Sequence, residues 1–486
     1  MPGPRQLNKE DIMFIAGETE TIYQHIGVLG LLDGSSRPEF DFSHFRQQWV
    51  DRISMLPHFH WKLHTVPMGV DRPYWVEDEH FNFDHHIKRI ALPGPGDHIT
   101  LCEVVANLYS HHLDHSKPLW EIWFIEGLEG GKFAFLYQFH HCMMDGGGAL
   151  QLIEFLCDSE PDPSEPKEVD EAVRNARPGE IPSYQEKSVR AWQHMAEIPL
   201  NAAKSAYRML GSVVGEQIKH PGRMRGPRPQ VPSTRFNGEI SSERAFDFAS
   251  LPLEDMKSVK NHFDVSLNDV LLALVSGAVR RYLLEQSELP ELPLRASIPV
   301  SIRQESDDQM SNKVTSTTMT LATDLDDPAA RLKEINRDAK EAKMRAHKGG
   351  TGMLEVFQIM PPLLVGAMME SMPTDYAAQI MGANLFVSNT RSSPETLYMS
   401  GATIDNMFPM SIVTGGMGIN VTCVSYNGRM DIGIIVDPEL VPDHGELTAG
   451  LEFSLAEYLT LCKPAKAGRR KKRPARARSK MSAGKI

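Results

Sequence analysis

Long hydrophobic runs are missing from this chain. Among its 486 residues no uninterrupted apolar stretch approaches the roughly 20 that a membrane-spanning helix needs, so a transmembrane reading is set aside. Cysteine is scarce, with five residues at 102, 142, 157, 423 and 462. The number is odd and no CxxC pair occurs, which argues against a disulfide framework and a zinc site and fits reduced thiols. Met1-Pro2-Gly3-Pro4-Arg5-Gln6 leads into polar sequence rather than the apolar core of a secretory signal. The expectation is a cytoplasmic protein that touches membrane only at its surface. Acidic residues are absent from Lys463 to Ile486, where eleven Lys and Arg occur; the rest of the chain keeps 40 basic against 63 acidic residues. An acidic body therefore carries a basic tail. Its Pro, Ala, Gly and Ser content suits a solvated, disordered extension. Its charge equally suits attraction to anionic lipid, worth about 1 kcal/mol per basic residue near such a surface. Without aromatic residues interleaved for base stacking, nucleic acid is not an expected partner.

What the chain does have is His140-His141-Cys142-Met143-Met144-Asp145-Gly146, the pattern HHxxxDG. Lys132 to Phe139, before it, is aromatic-rich and predicts a buried strand; apolar residues at 149, 150, 152, 153 and 156 predict a helix after it. The motif thus falls on a strand-to-helix turn, where a rigid scaffold can present an imidazole. Histidine titrates nearest neutrality, so it can take a proton from a hydroxyl and return it to a leaving group. Asp145 and Gly146 permit a tight turn. Cys142 beside a histidine raises the possibility of a thiol nucleophile, but sequence adjacency seldom supplies the geometry, and direct transfer is favoured. His111, His112 and His115 include an i, i+4 pair able to bind metal on a helix. No third ligand type is spaced nearby, so a partly exposed helix is expected there, and His85-His86 are read as structural.

The HHxxxDG pattern resembles that of CoA-dependent acyltransferases of the chloramphenicol acetyltransferase type, plant acyltransferases and peptide-synthetase condensation domains. Leu113-Asp114 with Pro118-Leu119-Trp120-Glu121 is similar to the LDxxxPLW segment of the bacterial wax ester synthase/acyl-CoA:diacylglycerol acyltransferase family. Phe83-Asp84-His85-His86, Ile90-Ala91-Leu92-Pro93, Ser266-Leu267-Asn268-Asp269-Val270, Pro299-Val300-Ser301-Ile302-Arg303, Ser388-Asn389 and Asn420-Val421-Thr422 follow in family order. The resemblance spans about residue 8 to about residue 455. Two departures stand out: Thr390-Arg391-Ser392-Ser393-Pro394 replaces a Val-Pro-Gly-Pro turn, so that loop must turn differently, and His115 stands where arginine is common. The resemblance implies an α/β, two-lobed fold with the active site in a channel between halves. It implies acyl-CoA as donor and a fatty alcohol or diacylglycerol as acceptor, with no metal or redox cofactor, at a membrane or lipid-droplet surface. His141 is then the general base, His140 and Asn268 support it, and Pro118, Leu119, Trp120, Ser388, Asn389 and Asn420 are candidates for the substrate channel. Gly146 belongs to the motif's structural part, as does Asp145, for which the resemblance implies a salt bridge to Arg303. Acyl transfer from a carrier protein and a catalytically silent lipid-surface protein remain as rival readings.

The expected organisation is an N-terminal half over 1–157, a crossover with a helix near 184–218 over 158–236, a C-terminal half over 237–460, and the tail over 461–486. Arg295–Val300 and Met430–Val436 predict strands. Ser266 with Asp269 three residues on, and Val265 with Val270, predict a capped helix start, giving Asp269 a structural role. Met353 to Met372, rich in Met, Leu and Val, can line an acyl tunnel, pack in the core, or dip into a bilayer.

Overall fold

The strand that carries the motif runs through the middle of a sheet, because Phe133 to His140 is apolar on both faces and is buried along almost its whole length. The computed structural model describes residues 4–163, 167–200, 230–301, 314–346, 360–371 and 373–462. Its strands are His25–Asp33 (β1), Trp61–His64 (β2), Tyr74–Glu77 (β3), Ile87–Ala91 (β4), Trp120–Glu126 (β5), Phe133–His140 (β6) and Ala245–Pro252 (β7). They continue with Arg295–Ser301 (β8), Val314–Thr320 (β9), Leu385–Arg391 (β10), Tyr398–Met399 (β11), Ala402–Met410 (β12), Ile419–Tyr426 (β13) and Arg429–Val436 (β14). One sheet has the order β11-β12-β1-β6-β5-β4, a second β7-β14-β13-β10-β8-β9, and β2 with β3 forms a separate hairpin.

The second sheet is backed by helices Leu267–Glu285 and Gly445–Cys462. The first of these is apolar nearly all round and is correspondingly buried on most of its circumference. A Cβ at Gly450 would lie 2.8 Å from the Ala278 Cα, so glycine there is what lets the helices pack this closely. Among the described residues no single helix is long and apolar enough to cross a membrane.

The chain does not keep each half to its own sheet. β11 and β12, late in the sequence, join the N-terminal sheet, where β12 pairs antiparallel with β1 from Gly27 opposite Met410 to Asp33 opposite Thr403. The return from β12 to β13 and β14 then brings the two sheets together. Asp431 in β14 accepts the Met407 amide at 2.8 Å and the Asn406 side chain at 3.0 Å, satisfying a buried carboxylate across the junction. Of the predicted crossover helix, the described part runs over 184–200; the rest lies outside the described residues.

Candidate active site

β6 ends at His140, and a short turn leads into helix Gly146–Leu156. Asp145 is that helix's N-cap, with Oδ1 accepting the Gly148 amide at 2.8 Å, and it is 5 % exposed. No hydrogen bond joins Asp145 to the His141 ring among the described residues. Arg303, the partner expected for Asp145, lies outside them. Gly146 occupies the first helical position, and a Cβ there would meet nothing within 4 Å among the described residues.

His141 is held from two directions. Its amide donates to the Gln24 carbonyl at 2.8 Å, and its ring stacks on Phe14 with centroids 4.0 Å apart and planes 8° from parallel. Phe14 comes from helix Ile12–Ala16, which packs on helix Pro362–Glu370. Met360, Met368 and Met369 there lie against Ile12 and Val365. The described part of the Met-rich segment therefore covers the element that positions His141, while 351–359 lie outside the described residues.

His140 is fully buried, and its Nδ1 accepts the Cys142 amide at 3.1 Å. An accepting nitrogen carries no proton, so hydrogen-bond geometry assigns the proton of the neutral ring to Nε2. That atom faces Glu18 Oε2 at 3.6 Å, an ion-pair spacing too long for a good direct hydrogen bond. Glu18 also takes His115 Nε2 at 2.7 Å and His112 Nδ1 at 3.1 Å. Burial opposes ionisation of Glu18, yet the His115 and His140 contacts outweigh it and hold the carboxyl far below the usual range. The same contact with Glu18 raises His115 above its ordinary value, whereas burial wins at His140 and lowers it. Glu18 is thus anionic at neutral pH, with a neutral His140 beside it.

Glu18, His115 and His140 place three donor atoms within 4.8 Å of one another. A metal does not fit them, because His140 Nε2 bears the ring proton and has no lone pair to give. The expected helix around His111 to His115 is corrected here: helix His98–Tyr109 ends at the Ser110 cap, and His112 and His115 lie beyond it, free to converge on Glu18. His115, where the resemblance led to the expectation of an arginine, pairs with the Glu18 carboxylate.

Cys142 is 2 % exposed, and burial pushes its thiol well above the ordinary range. That is the reverse of an activated nucleophile. Leu119 and Trp120 belong to the core at 0 % and 1 % exposed, rather than to the surface of a channel. The Trp120 indole donates to the Phe59 carbonyl at 2.8 Å, its own carbonyl meets His86 Nδ1 at 2.7 Å, and the Leu119 carbonyl accepts the His140 amide at 2.9 Å. Pro118-Leu119-Trp120 thus brace the strand beside the motif, because β5 pairs directly with β6. His86 stacks on Trp120, and its neighbour His85 is exposed.

From the other sheet, β10 runs past helix Gly146–Leu156, and Ser392 Oγ donates to Glu154 Oε1 at 3.2 Å. Where relatives were expected to turn after Ser388-Asn389, this chain continues as strand to Arg391. Ser388 and Asn389 are half-buried, and Asn389 Oδ1 is buried with no hydrogen-bond partner among the described residues. Asn420 has no such freedom: its amide donates to the Ile412 carbonyl and its oxygen accepts the Thr422 hydroxyl, both at 2.7 Å. Asp269 and Ser266 form a reciprocal cap at 2.8 and 3.1 Å, and Asn336 adds a third bond to Asp269 at 2.8 Å. Asn268, half-buried on the first turn of that helix, makes no side-chain hydrogen bond among the described residues. Phe14, Glu18 and Gln24 went unnoticed in the sequence, since nothing local marks an isolated residue in a short N-terminal segment.

A histidine pair at a strand end, two joined sheets and a strand exchanged between them define a two-lobed acyltransferase architecture. Solved structures agree: the first condensation domain of the calcium-dependent antibiotic synthetase matches with TM-score 0.53 at 14 % identity over 95 % of this chain and 96 % of that one, a likeness of fold alone. The wax ester synthase/diacylglycerol acyltransferase of Marinobacter aquaeolei VT8 matches with TM-score 0.70 at 26 % identity over 94 % of this chain and 99 % of that one. The family model for the wax ester synthase/diacylglycerol acyltransferase catalytic domain covers residues 7–271, and that for the WS/DGAT C-terminal domain covers 310–458. This chain belongs to that family and is an O-acyltransferase. It is 31 % identical to a putative diacyglycerol O-acyltransferase of Mycobacterium tuberculosis over 93 % of its own length and 90 % of the relative's. It is also 31 % identical to the O-acyltransferase WSD of Acinetobacter baylyi, over 92 % and 95 %.

Proposed function

We propose that the protein moves a long-chain acyl group from acyl-CoA to the hydroxyl of a long-chain alcohol or of diacylglycerol, with His141 as general base. The observation that carries this is the intact motif turn, in which backbone and ring contacts both fix the His141 imidazole. His141 takes the hydroxyl proton as the oxygen attacks the thioester carbonyl. The tetrahedral oxyanion collapses, the C–S bond breaks, and the same ring returns the proton to the departing thiolate. The amino end of helix Gly146–Leu156 lies at this turn, and its partial positive charge favours the oxyanion. A thioester is already activated, so positioning, a base and oxyanion donors are enough. Buried Cys142 supports direct transfer without an acyl-enzyme, and Asn389 Oδ1 is an acceptor for a donor group on a substrate. The basic tail supports docking of a cytoplasmic enzyme on a lipid surface by attracting anionic headgroups.

The test supplies long-chain acyl-CoA with or without alcohol or diacylglycerol and follows free thiol and ester together. One ester per thiol, only when acceptor is present, is expected. Thiol released equally without acceptor means hydrolysis. Turnover of a carrier-protein thioester alone means condensation-type chemistry, and lipid binding without turnover means a silent surface protein.

A further inference from the structure

We propose that His98, Cys102 and Asp247 form a binding site for a divalent transition-metal ion of the zinc class, clamping the N-terminal lobe to the C-terminal one. His98 and Cys102 are four residues apart on helix His98–Tyr109, so both project from one face. That helix packs on β7 of the other sheet, which supplies Asp247. His98 Nε2 lies 2.6 Å from Asp247 Oδ1, and Cys102 Sγ lies 3.6 Å from His98 Nε2 and 3.8 Å from Asp247 Oδ1.

Those spacings approach the edges of a metal tetrahedron. Zinc bonds of about 2.3 Å to sulfur and about 2.0–2.1 Å to nitrogen and oxygen put neighbouring ligand atoms roughly 3.3–3.6 Å apart. Both sulfur edges nearly fit already. The nitrogen–oxygen edge is closed by an ion-paired hydrogen bond and opens by less than about 1 Å, within the reach of side-chain rotation, when an ion enters. A nitrogen, sulfur and oxygen donor set selects borderline ions such as zinc or cobalt over magnesium or calcium, which prefer all-oxygen shells.

The surroundings suit the role. Cys102 and Asp247 are buried at 7 % and 9 % exposed, while the His98 side chain is half-exposed and leaves a path for the ion and a water as fourth ligand. The Phe248 amide donates to the same Asp247 Oδ1 at 2.8 Å, which fixes the carboxylate, and the Phe248 ring packs on His98 with centroids 4.3 Å apart. Binding releases the Cys102 thiol proton, and any second proton on His98, to solvent; no electron moves. The site is not part of the reacting turn. It sits at the start of a 12-residue helix whose far end, Tyr109, meets His25 beside the motif, roughly 16 Å away at 1.5 Å per residue. The sequence concealed it because the third ligand comes 145 residues after Cys102.

Cobalt(II) and zinc titrations of the full chain test the proposal. Expected are one ion per chain and a thiolate-to-cobalt charge-transfer band that Cys102→Ser abolishes and Cys462→Ser leaves intact. Asp247→Asn and His98→Gln should each weaken zinc binding by at least about tenfold, and saturating zinc should raise the melting temperature of the parent but not of Cys102→Ser. No saturable binding at protein concentrations of about 10–50 μM, where a structural zinc site is filled, would overturn the site. So would a cobalt spectrum indifferent to Cys102→Ser, which would leave the three residues as an ordinary inter-lobe hydrogen-bond cluster.

Discussion

Replacing Glu18 by glutamine probes the buried carboxylate behind the motif turn. The side chain keeps its shape but loses its charge, and one of two accepting oxygens becomes a donor. Oε2 faces His115 at 2.7 Å and His140 at 3.6 Å, and Oε1 faces the Gln24 amide at 3.5 Å and His112 at 3.1 Å, so an amide group placed toward Oε2 meets the His115 donor and one placed toward Oε1 meets the Gln24 N–H. Hydrogen bonds to charged groups contribute about 1.5–3 kcal/mol each. The His115 bond dominates; His112 and His115 are both partly exposed, which discounts their sum, and the 3.6 Å contact adds little. A stability loss of about 2–3 kcal/mol is expected. Activity should fall roughly 10- to 100-fold, mainly in kcat, because a misplacement of about 1 Å at a reacting group costs up to about 100-fold. The sign of the pH dependence follows from the two shifts. Glu18, depressed on folding, contributes stability that is present above the ordinary carboxyl range and lost as pH falls through its folded value. His115, raised on folding, contributes stability that is full below about 6.5 and lost as pH rises through its higher folded value. The gap between parent and Glu18→Gln in urea denaturation should therefore be widest in weakly acidic to neutral buffer and narrow on both sides. A pH-independent gap, or kcat within about twofold of the parent against the loss reasoned above, would refute the reasoning.

Cys142→Ala should retain most activity, and mass spectrometry of the parent with acyl-CoA alone should show no acylated protein; a trapped acyl group lost in the mutant would establish a thiol nucleophile. Asp145→Ala removes an N-cap and should cost about 1–2 kcal/mol, read from chemical denaturation. A cycle with Arg303→Ala should show coupling of about 1 kcal/mol or more if the two residues pair, and additivity would end that pairing. Deleting 463–486 should weaken binding to anionic vesicles, most at low salt, while sparing turnover of soluble short-chain acceptors; equal vesicle binding would remove the tail's role.

The strand, turn and helix around the motif were legible in the sequence because their signals are local, whereas the two-lobed arrangement was expected from the family resemblance. An aromatic strand, a motif and an apolar helix stand within 25 residues of one another, and the Ser266–Asp269 cap is written in four. What stayed hidden depends on distance along the chain. Glu18 and Phe14 reach His140 and His141 only after β1 pairs with β6, and the passage of β12 into the N-terminal sheet has no local signature. Trp120 misled for a different reason: an aromatic in a recognised motif suggests a channel, whereas its indole is spent on the Phe59 carbonyl in the core. His111 to His115 carried a helical spacing that the chain does not use, since Ser110 closes the helix first.

The most direct measurement is acceptor-dependent thiol release from long-chain acyl-CoA by His141→Ala, with folding checked by melting. Loss of about two to four orders of magnitude in rate, in a variant that melts like the parent, is the predicted result for removal of a general base. A folded His141→Ala protein that transfers acyl groups at close to the parent rate would contradict the account.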